Sequence, residues 1–209
     1  MDGRDVAVVR TGVANVASMV AAFTRLGAAP VVTDQPAELE RAGMVVLPGV
    51  GSFSAGMRAL RAAGLVEVMR ERLLAGRATL AVCLGMQLLC ESSQESPGVI
   101  GLDVVPGEIS RFGAGVRVPQ MGWNWVEAGQ GCSVMESGWA YFANSYRMKD
   151  APHGWEAAMS EYGGGFVSAL ERGPVVACQF HPELSGAWGL ALMRRWMEKA
   201  RVGEGVSSC

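Results

Sequence analysis

Residues 78–89 read A-T-L-A-V-C-L-G-M-Q-L-L. An apolar, β-branched-rich run stops at Cys83, a glycine follows two places later at Gly85, and a helix-like segment begins. This is the outline of a nucleophile elbow, a tight strand-to-helix turn that lifts one side chain above a sheet. The turn tolerates little bulk beside the nucleophile, and Ala81 and Gly85 supply that. A helix starting there would aim free N–H groups and the positive end of its dipole at the sulfur, favouring thiolate, the reactive form. A cysteine in such a run is equally well a buried small apolar side chain, and the segment alone leaves both readings open.

Strand and helix signals alternate on the N-terminal side of the elbow. Asp5–Arg10 reads as a buried strand, and Asn15 as the N-cap of a helix through Leu26 with Gly27 as its stop. Pro30–Thr33 reads as a strand, Pro36–Ala42 as a short proline-opened helix, Met44–Leu47 as a third strand, and Ala55–Ala75 as helix interrupted near Gly64. This rhythm predicts parallel strands joined by helical crossovers. After about Ser92 the segments shorten. Val104–Ile109, Gly115–Pro119, Trp123–Glu127 and Ala140–Tyr146 read as antiparallel or mixed strands, Phe166–Glu171 and Val175–Phe180 as a hairpin turned at Arg172-Gly173-Pro174, and Ala187–Ala200 as a last helix. The predicted fold is α/β, a mostly parallel central sheet with helices on both faces and added antiparallel strands in the C-terminal half. One domain is expected over residues 1–201, with a disordered tail at 202–209.

Composition narrows the function. The net charge is −2 over 209 residues, which gives no electrostatic basis for binding nucleic acid or an anionic membrane. No apolar run approaches the roughly 20 residues that span a bilayer, and the M-D-G-R-D start has no signal-peptide core. Five irregularly spaced cysteines without C-x-x-C argue against a disulfide framework and a zinc site, and for a reducing cytoplasm.

A cysteine nucleophile needs a base, and the chain has two histidines. His153, in D-A-P-H-G-W, reads as a surface-loop residue. His181 ends the apolar run V-V-A-C-Q-F-H, beyond a strand end, where open α/β sheets place ligands. Pro182 biases it toward extended backbone, and Glu183 lies two residues on, able to hold the imidazole in one tautomer. A strand-end histidine beside a solvated glutamate is the plain alternative. The run L-P-G-V-G-S-F at Leu47–Phe53 also follows a buried strand. Its glycines let backbone N–H groups approach a ligand closely. A tetrahedral intermediate at Cys83 needs two oxyanion donors, and the candidates are the amides of Leu84 and of Val50 or Gly51. An ordinary glycine-rich turn would read the same way.

Together these segments resemble the triad (class I) glutamine amidotransferases, and within them the glutaminase subunits of imidazole glycerol phosphate synthases. The matching runs are P-G-V-G-S-F at 48–53, C-L-G-M-Q-L-L at 83–89, P-Q-M-G-W-N at 119–124, Y-F-A-N-S-Y at 141–146 and Q-F-H-P-E-L-S-G at 179–186. The resemblance implies that Cys83 attacks the glutamine side-chain amide, His181 moves the proton and Glu183 orients it. It implies that Gly49, Gln87, Ser145 and Tyr146 contact glutamine, and that neither cofactor nor metal takes part. It also implies a heterodimer with a barrel-type cyclase, which uses the ammonia to make imidazole glycerol phosphate and an aminoimidazole carboxamide ribotide in histidine biosynthesis. Asn15, Trp123, Tyr141 and Leu184 are the candidate docking residues, with Trp125 nearby; core packing is the other explanation for the aromatics. The chain departs from the family pattern in three places. The usual Y-G-x-G-N is R-T-G-V-A-N at 10–15, histidines common in the family are Gln120 and Asn144 here, and a usual lysine is Leu184. The alternatives are a glutaminase serving another acceptor, or a silent binding module on the same fold.

Overall fold

The computed structural model describes residues 5–10, 12 and 15–204. The N-terminal half runs β1 (Asp5–Val9), α1 (Val16–Arg25), β2 (Ala29–Thr33), α2 (Pro36–Arg41), β3 (Met44–Gly49), α3 (Phe53–Ala62), α4 (Val66–Leu74), β4 (Thr79–Cys83) and α5 (Leu84–Leu88). There follow β5 (Cys90–Ser93), β6 (Val105–Arg111), β7 (Gln120–Ala128), β8 (Gly138–Asn144) and β9 (Tyr146–Arg147). The chain closes with β10 (Glu156–Glu161), β11 (Gly165–Arg172), β12 (Val175–Cys178), a 3-10 turn at Pro182–Leu184 and α6 (Gly186–Glu204).

One nine-stranded sheet has the order β2-β1-β3-β4-β12-β11-β10-β7-β8. From β2 to β12 neighbours are parallel; from β12 to β8 they are antiparallel. A small sheet β5-β6-β9 stands apart. Every residue of β3 and β4 is buried, as expected of parallel strands covered on both faces. Alternation splits the core in two. Val6, Val8, Val46 and Val82 share one cluster with Phe23 of α1 and Trp196 of α6. Ala7, Val9, Leu47 and Ala81 share the other with Leu39, Met57, Leu60 and Met69 from α2, α3 and α4. The helices therefore lie on both faces.

Several expectations are met closely. Asn15 caps α1 by accepting from Ser18 N at 3.4 Å, Gly27 follows the helix at φ 80°, and Gly64 at φ 66° separates α3 from α4. Arg172 pairs with Val175, so Gly173-Pro174 is the hairpin turn. Others are not. Gly115–Pro119 is loop rather than strand. Two strands, β5 and β10, were not foreseen. The last helix continues to Glu204 rather than ending at Ala200. The expected tail lies outside the described residues from 205 onward, as do Thr11, Val13 and Ala14 of the departing N-terminal motif.

Candidate active site

β4 lies between β3 and β12 and ends at Cys83, whose φ is 55° and ψ −111°. A positive φ on a residue carrying a Cβ costs about 1–3 kcal/mol and persists only where the surroundings over-determine it. Here two close backbone approaches do so. A Cβ on Gly85 would stand 2.0 Å from Leu47 O, and one on Gly49 would stand 2.9 Å from Leu84 Cβ. Gly49 is also the parallel register partner of Cys83. The turn forms because glycine occupies both sides of this contact. Cys83 lines a cavity of about 260 Å³, sized for an amino acid rather than for the larger ligands of roughly 300–1,000 Å³ pockets. The elbow helix α5 has only five residues. Its dipole is correspondingly small, which leaves a neighbouring side chain as the main positive group at the sulfur.

That side chain is His181. Beyond β12 the backbone stays extended to His181, at φ −101° and ψ 96°, and Pro182 opens the 3-10 turn. The turn brings Glu183 back under the ring, with His181 Nδ1 and Glu183 Oε1 2.9 Å apart and both side chains buried. His181 and Cys83 line the same cavity. Burial pulls the His181 pKa down. The hydrogen bonds to Cys83 and Glu183, and the charges of both, outweigh it and push the pKa from 6.5 up to about 10. The raised pKa favours the protonated ring, which is tied to one carboxylate. The second oxygen of that carboxylate, Oε2, is buried without a hydrogen-bond partner. Cys90 and Cys178 are different. Burial pushes their thiols up, with nearby carboxylates adding to it, and they serve as small core residues.

The cavity wall gathers most of the sequence-predicted residues: Val50, Gly51 and Leu84 of the oxyanion set, and Gln87, Ser145 and Tyr146 of the substrate set. Gly51 has φ 94°. Gly49 does not line the cavity. It lies in β3 pressed against Leu84, where its missing Cβ makes room for the elbow. Two side chains were missed. Glu95 reaches the wall from the loop after β5 and accepts from Phe53 N at 2.6 Å, fixing the start of α3. No spacing in the sequence pointed to it. Gln179 donates to Cys83 Sγ at 3.7 Å and accepts from Gln87 Nε2 at 2.8 Å. A buried amide two residues before His181, in an otherwise apolar run, was a legible signal.

His153 sits exposed on a turn, away from these groups. Gln120 and Asn144, the two positions where the family commonly has histidine, are cross-strand partners on β7 and β8. Both are buried, and each leaves its side-chain carbonyl oxygen without a partner. The two departures thus fall on one contact, and Asn144 lines the cavity. Trp123 and Tyr141 are also cross-strand partners, their rings 6.2 Å apart and nearly perpendicular. Trp123 is 55% exposed, and Trp125, Trp139 and Leu184 are exposed as well. Core packing therefore does not explain these aromatics. Tyr141 is joined to the histidine turn by backbone: His181 N donates to Tyr141 O at 2.9 Å, and Tyr141 N donates to Ser185 Oγ at 3.0 Å. Asn15 is exposed at the start of α1. Among the described residues no cluster of His, Cys, Asp and Glu is arranged to hold a metal ion, and no helix is long and apolar enough to cross a membrane.

Comparison with known proteins places the chain in a family. Residues 9–199 match the family model described as glutamine amidotransferase class-I. The imidazole glycerol phosphate synthase subunit HisH of Methanothermobacter thermautotrophicus is 40% identical over 94% of this chain and 100% of its own length. The HisH subunit of Thermus thermophilus is 44% identical over 90% of this chain and 95% of its own. A longer relative, the chloroplastic imidazole glycerol phosphate synthase hisHF of Arabidopsis thaliana, is 37% identical over 89% of this chain, which covers 33% of it. Among solved structures, a glutamine amidotransferase superposes with a TM-score of 0.76 at 22% identity, covering 93% of this chain and 98% of the other.

Proposed function

This chain belongs to the class-I glutamine amidotransferase family, and from that membership we propose that Cys83, His181 and Glu183 hydrolyse glutamine and that the ammonia passes to a barrel-type cyclase. The similarity to HisH subunits over nearly the whole chain makes it a glutaminase subunit of the imidazole glycerol phosphate synthase type, in histidine biosynthesis. One observation carries the catalytic assignment. A histidine held by Glu183 Oε1 at 2.9 Å and a cysteine in strained backbone line one cavity.

The chemistry follows from those positions. The Cys83 thiolate attacks the side-chain carbonyl carbon of glutamine, and the C=O becomes an oxyanion. The backbone amide of Leu84 and that of Val50 or Gly51 stabilise it. Removing one such donor typically costs about 3 kcal/mol of barrier. The imidazolium gives its proton to the departing nitrogen as the C–N bond breaks, releasing ammonia and leaving a γ-glutamyl thioester. Neutral His181 then takes a proton from water. The hydroxide adds to the thioester, sulfur leaves as thiolate, and glutamate departs. Glu183 keeps Nδ1 protonated throughout, so the other ring nitrogen is the one that works. Gln87, Ser145 and Tyr146 shape the substrate end of the cavity. The Glu95 carboxylate on the same wall suits the α-ammonium of an amino acid. Gly49 acts through the elbow rather than on substrate.

The cyclase is proposed to dock over Asn15, Trp123, Tyr141 and Leu184. Exposed Trp123 and half-buried Tyr141 form an aromatic pair next to the histidine turn, and surface tryptophan and tyrosine are typical interface anchors. The 33% coverage of the Arabidopsis protein leaves room there for a second unit on the same polypeptide, which supports a partner of this kind. Residues 1–201 are proposed to be one domain. The test is a Cys83→Ala variant assayed with the cyclase. It should fold, lose glutamine-dependent synthesis and keep synthesis from added ammonium. Glutamine-dependent turnover by the variant, or no adduct between wild-type Cys83 and a glutamine-analogue electrophile with liganded cyclase present, would refute the assignment.

A further inference from the structure

The amide side chain of Gln179 bridges the nucleophile and the cavity wall. It is 1% exposed, with its backbone fixed by donation from Gln179 N to Ser168 O at 2.9 Å. Its Nε2 donates to Cys83 Sγ at 3.7 Å and its Oε1 accepts from Gln87 Nε2 at 2.8 Å. Gln87 Nε2 also donates to Tyr146 O at 3.3 Å. An amide nitrogen has two hydrogens, so both of those on Gln87 are spent inside the protein. What Gln87 can offer the cavity is its carbonyl oxygen, an acceptor. The orientation of one buried amide therefore sets two things: a donor toward the sulfur and the polarity of a residue on the substrate wall.

Resting on the glutaminase reading above, we propose that Gln179 is a positioning residue that holds the Cys83 thiolate by one N–H and fixes Gln87 as an acceptor, so that the substrate group meeting Gln87 must carry N–H. An ammonium or a carboxamide satisfies that; a carboxylate does not. Gln179 takes no part in bond making, and no proton leaves it.

Two substitutions separate its two contacts. Gln179→Glu keeps an oxygen for Gln87 Nε2 and removes the donor to sulfur. Gln179→Leu removes both and frees Gln87 to rotate. The first readout is the pH profile of Cys83 alkylation by iodoacetamide in the full chain, with Cys209→Ser keeping the terminal thiol out of the signal. The groups that set this profile otherwise are unchanged: His181 with Glu183 behind it, and Glu95 and Tyr146 on the cavity wall. Both variants should shift the profile to higher pH. The second readout is glutamine kinetics with the liganded cyclase. Both should lower kcat, by roughly tenfold to 150-fold for a lost hydrogen bond to a charged group. Only Gln179→Leu should raise KM. A purely structural role would lower the melting temperature without this division. Wild-type alkylation profiles in both variants, or equal KM changes, would overturn the proposal. If Gln179→Leu fails to fold, the near-isosteric Gln179→Glu still decides the sulfur contact. If wild type hydrolyses no glutamine with its partner, the glutaminase reading fails while the alkylation profile still judges Gln179.

Discussion

Replacing Gly85 by alanine tests whether the elbow is held open by a missing side chain. The added Cβ would stand 2.0 Å from Leu47 O, and real Cβ atoms essentially never come within 3.0 Å of another heavy atom. β3 and the elbow must separate by about 1 Å, and the obstacle is a backbone carbonyl in the middle of the parallel sheet, which cannot swing away. Overpacking of this kind costs about 1–3 kcal/mol and occasionally more, and this site belongs at the upper end. For a domain of this size, about 3 kcal/mol lowers the melting temperature by roughly 6–12 °C. A shift of about 1 Å at the nucleophile would also cost roughly a hundredfold in rate. Two comparisons isolate the cause. Gly76→Ala meets nothing within 4 Å and carries only the strain of φ 66°, about 1–2 kcal/mol. Gly56→Ala comes to 2.9 Å of Leu88 Cδ1, a side-chain tip that can rotate. Differential scanning calorimetry with iodoacetamide reactivity of Cys83 ranks the three. A Gly85→Ala protein that melts with wild type and reacts at the wild-type rate would show that this contact does not hold the elbow.

Other consequences follow from named contacts. The raised His181 pKa contributes stability that is complete below 6.5 and is lost as pH rises through about 10. Cys83→Ala removes the sulfur's share, so His181 should titrate at lower pH in that variant. Proton NMR reads this directly because His153 is the one other histidine; identical His181 titrations would contradict the pairing. Arg72 is 2% exposed and donates to Thr79 Oγ1 and to the carbonyls of Leu39, Ala42, Gly43 and Ala78. Arg72→Met should cost about 3–5 kcal/mol in chemical denaturation, because several buried acceptors lose their donor. Ser185 Oγ donates to His181 O at 2.6 Å and accepts from Tyr141 N. Ser185→Ala should weaken activation of hydrolysis by liganded cyclase more than it weakens cyclase binding, measured by titration calorimetry beside the glutaminase assay.

The parallel half was readable because its strands are apolar throughout and its helices carry their own stops. Asn15, Gly27 and Gly64 each mark an element boundary in the residue itself. The C-terminal half depends on neighbours. β10 reads E-A-A-M-S-E, poor in strand-forming residues, and is a strand because β11 and β7 supply partners on both sides. The helix-like run after Cys83 stops early because Leu102 N donates to Leu88 O and Val104 N to Leu89 O, taking carbonyls that a longer helix would need. Gly115–Pro119 alternates like a strand, but no neighbouring strand pairs with it among the described residues. Cys83, His181 and Glu183 were legible because their chemistry needs rare residue types at strand ends. Glu95 was not, since only folding brings a loop carboxylate to that wall.

The catalytic and proposed docking elements share a few hydrogen bonds rather than a long path. Tyr141, the half-buried partner of exposed Trp123, accepts from His181 N and donates to Ser185 Oγ, which in turn holds His181 O. The backbone of the base is thus clamped on both sides to the strand whose outer face would meet the cyclase. Another part of the cavity wall, Val50 and Gly51, is less packed. Val50 is exposed and Gly51 has no atom within 4 Å of where its Cβ would be. A partner seated on Trp123 and Tyr141 therefore presses on the element that is already ordered, and the segment free to respond is the one proposed to supply an oxyanion donor. Such an arrangement predicts control over kcat rather than over the reactivity of the sulfur, because Gln179 already donates to Cys83 and His181 already shares its cavity in the isolated chain. Cys83 alkylation should accordingly be little changed by the cyclase, while glutamine turnover should rise with it. Equal stimulation of both would place the switch at the base instead.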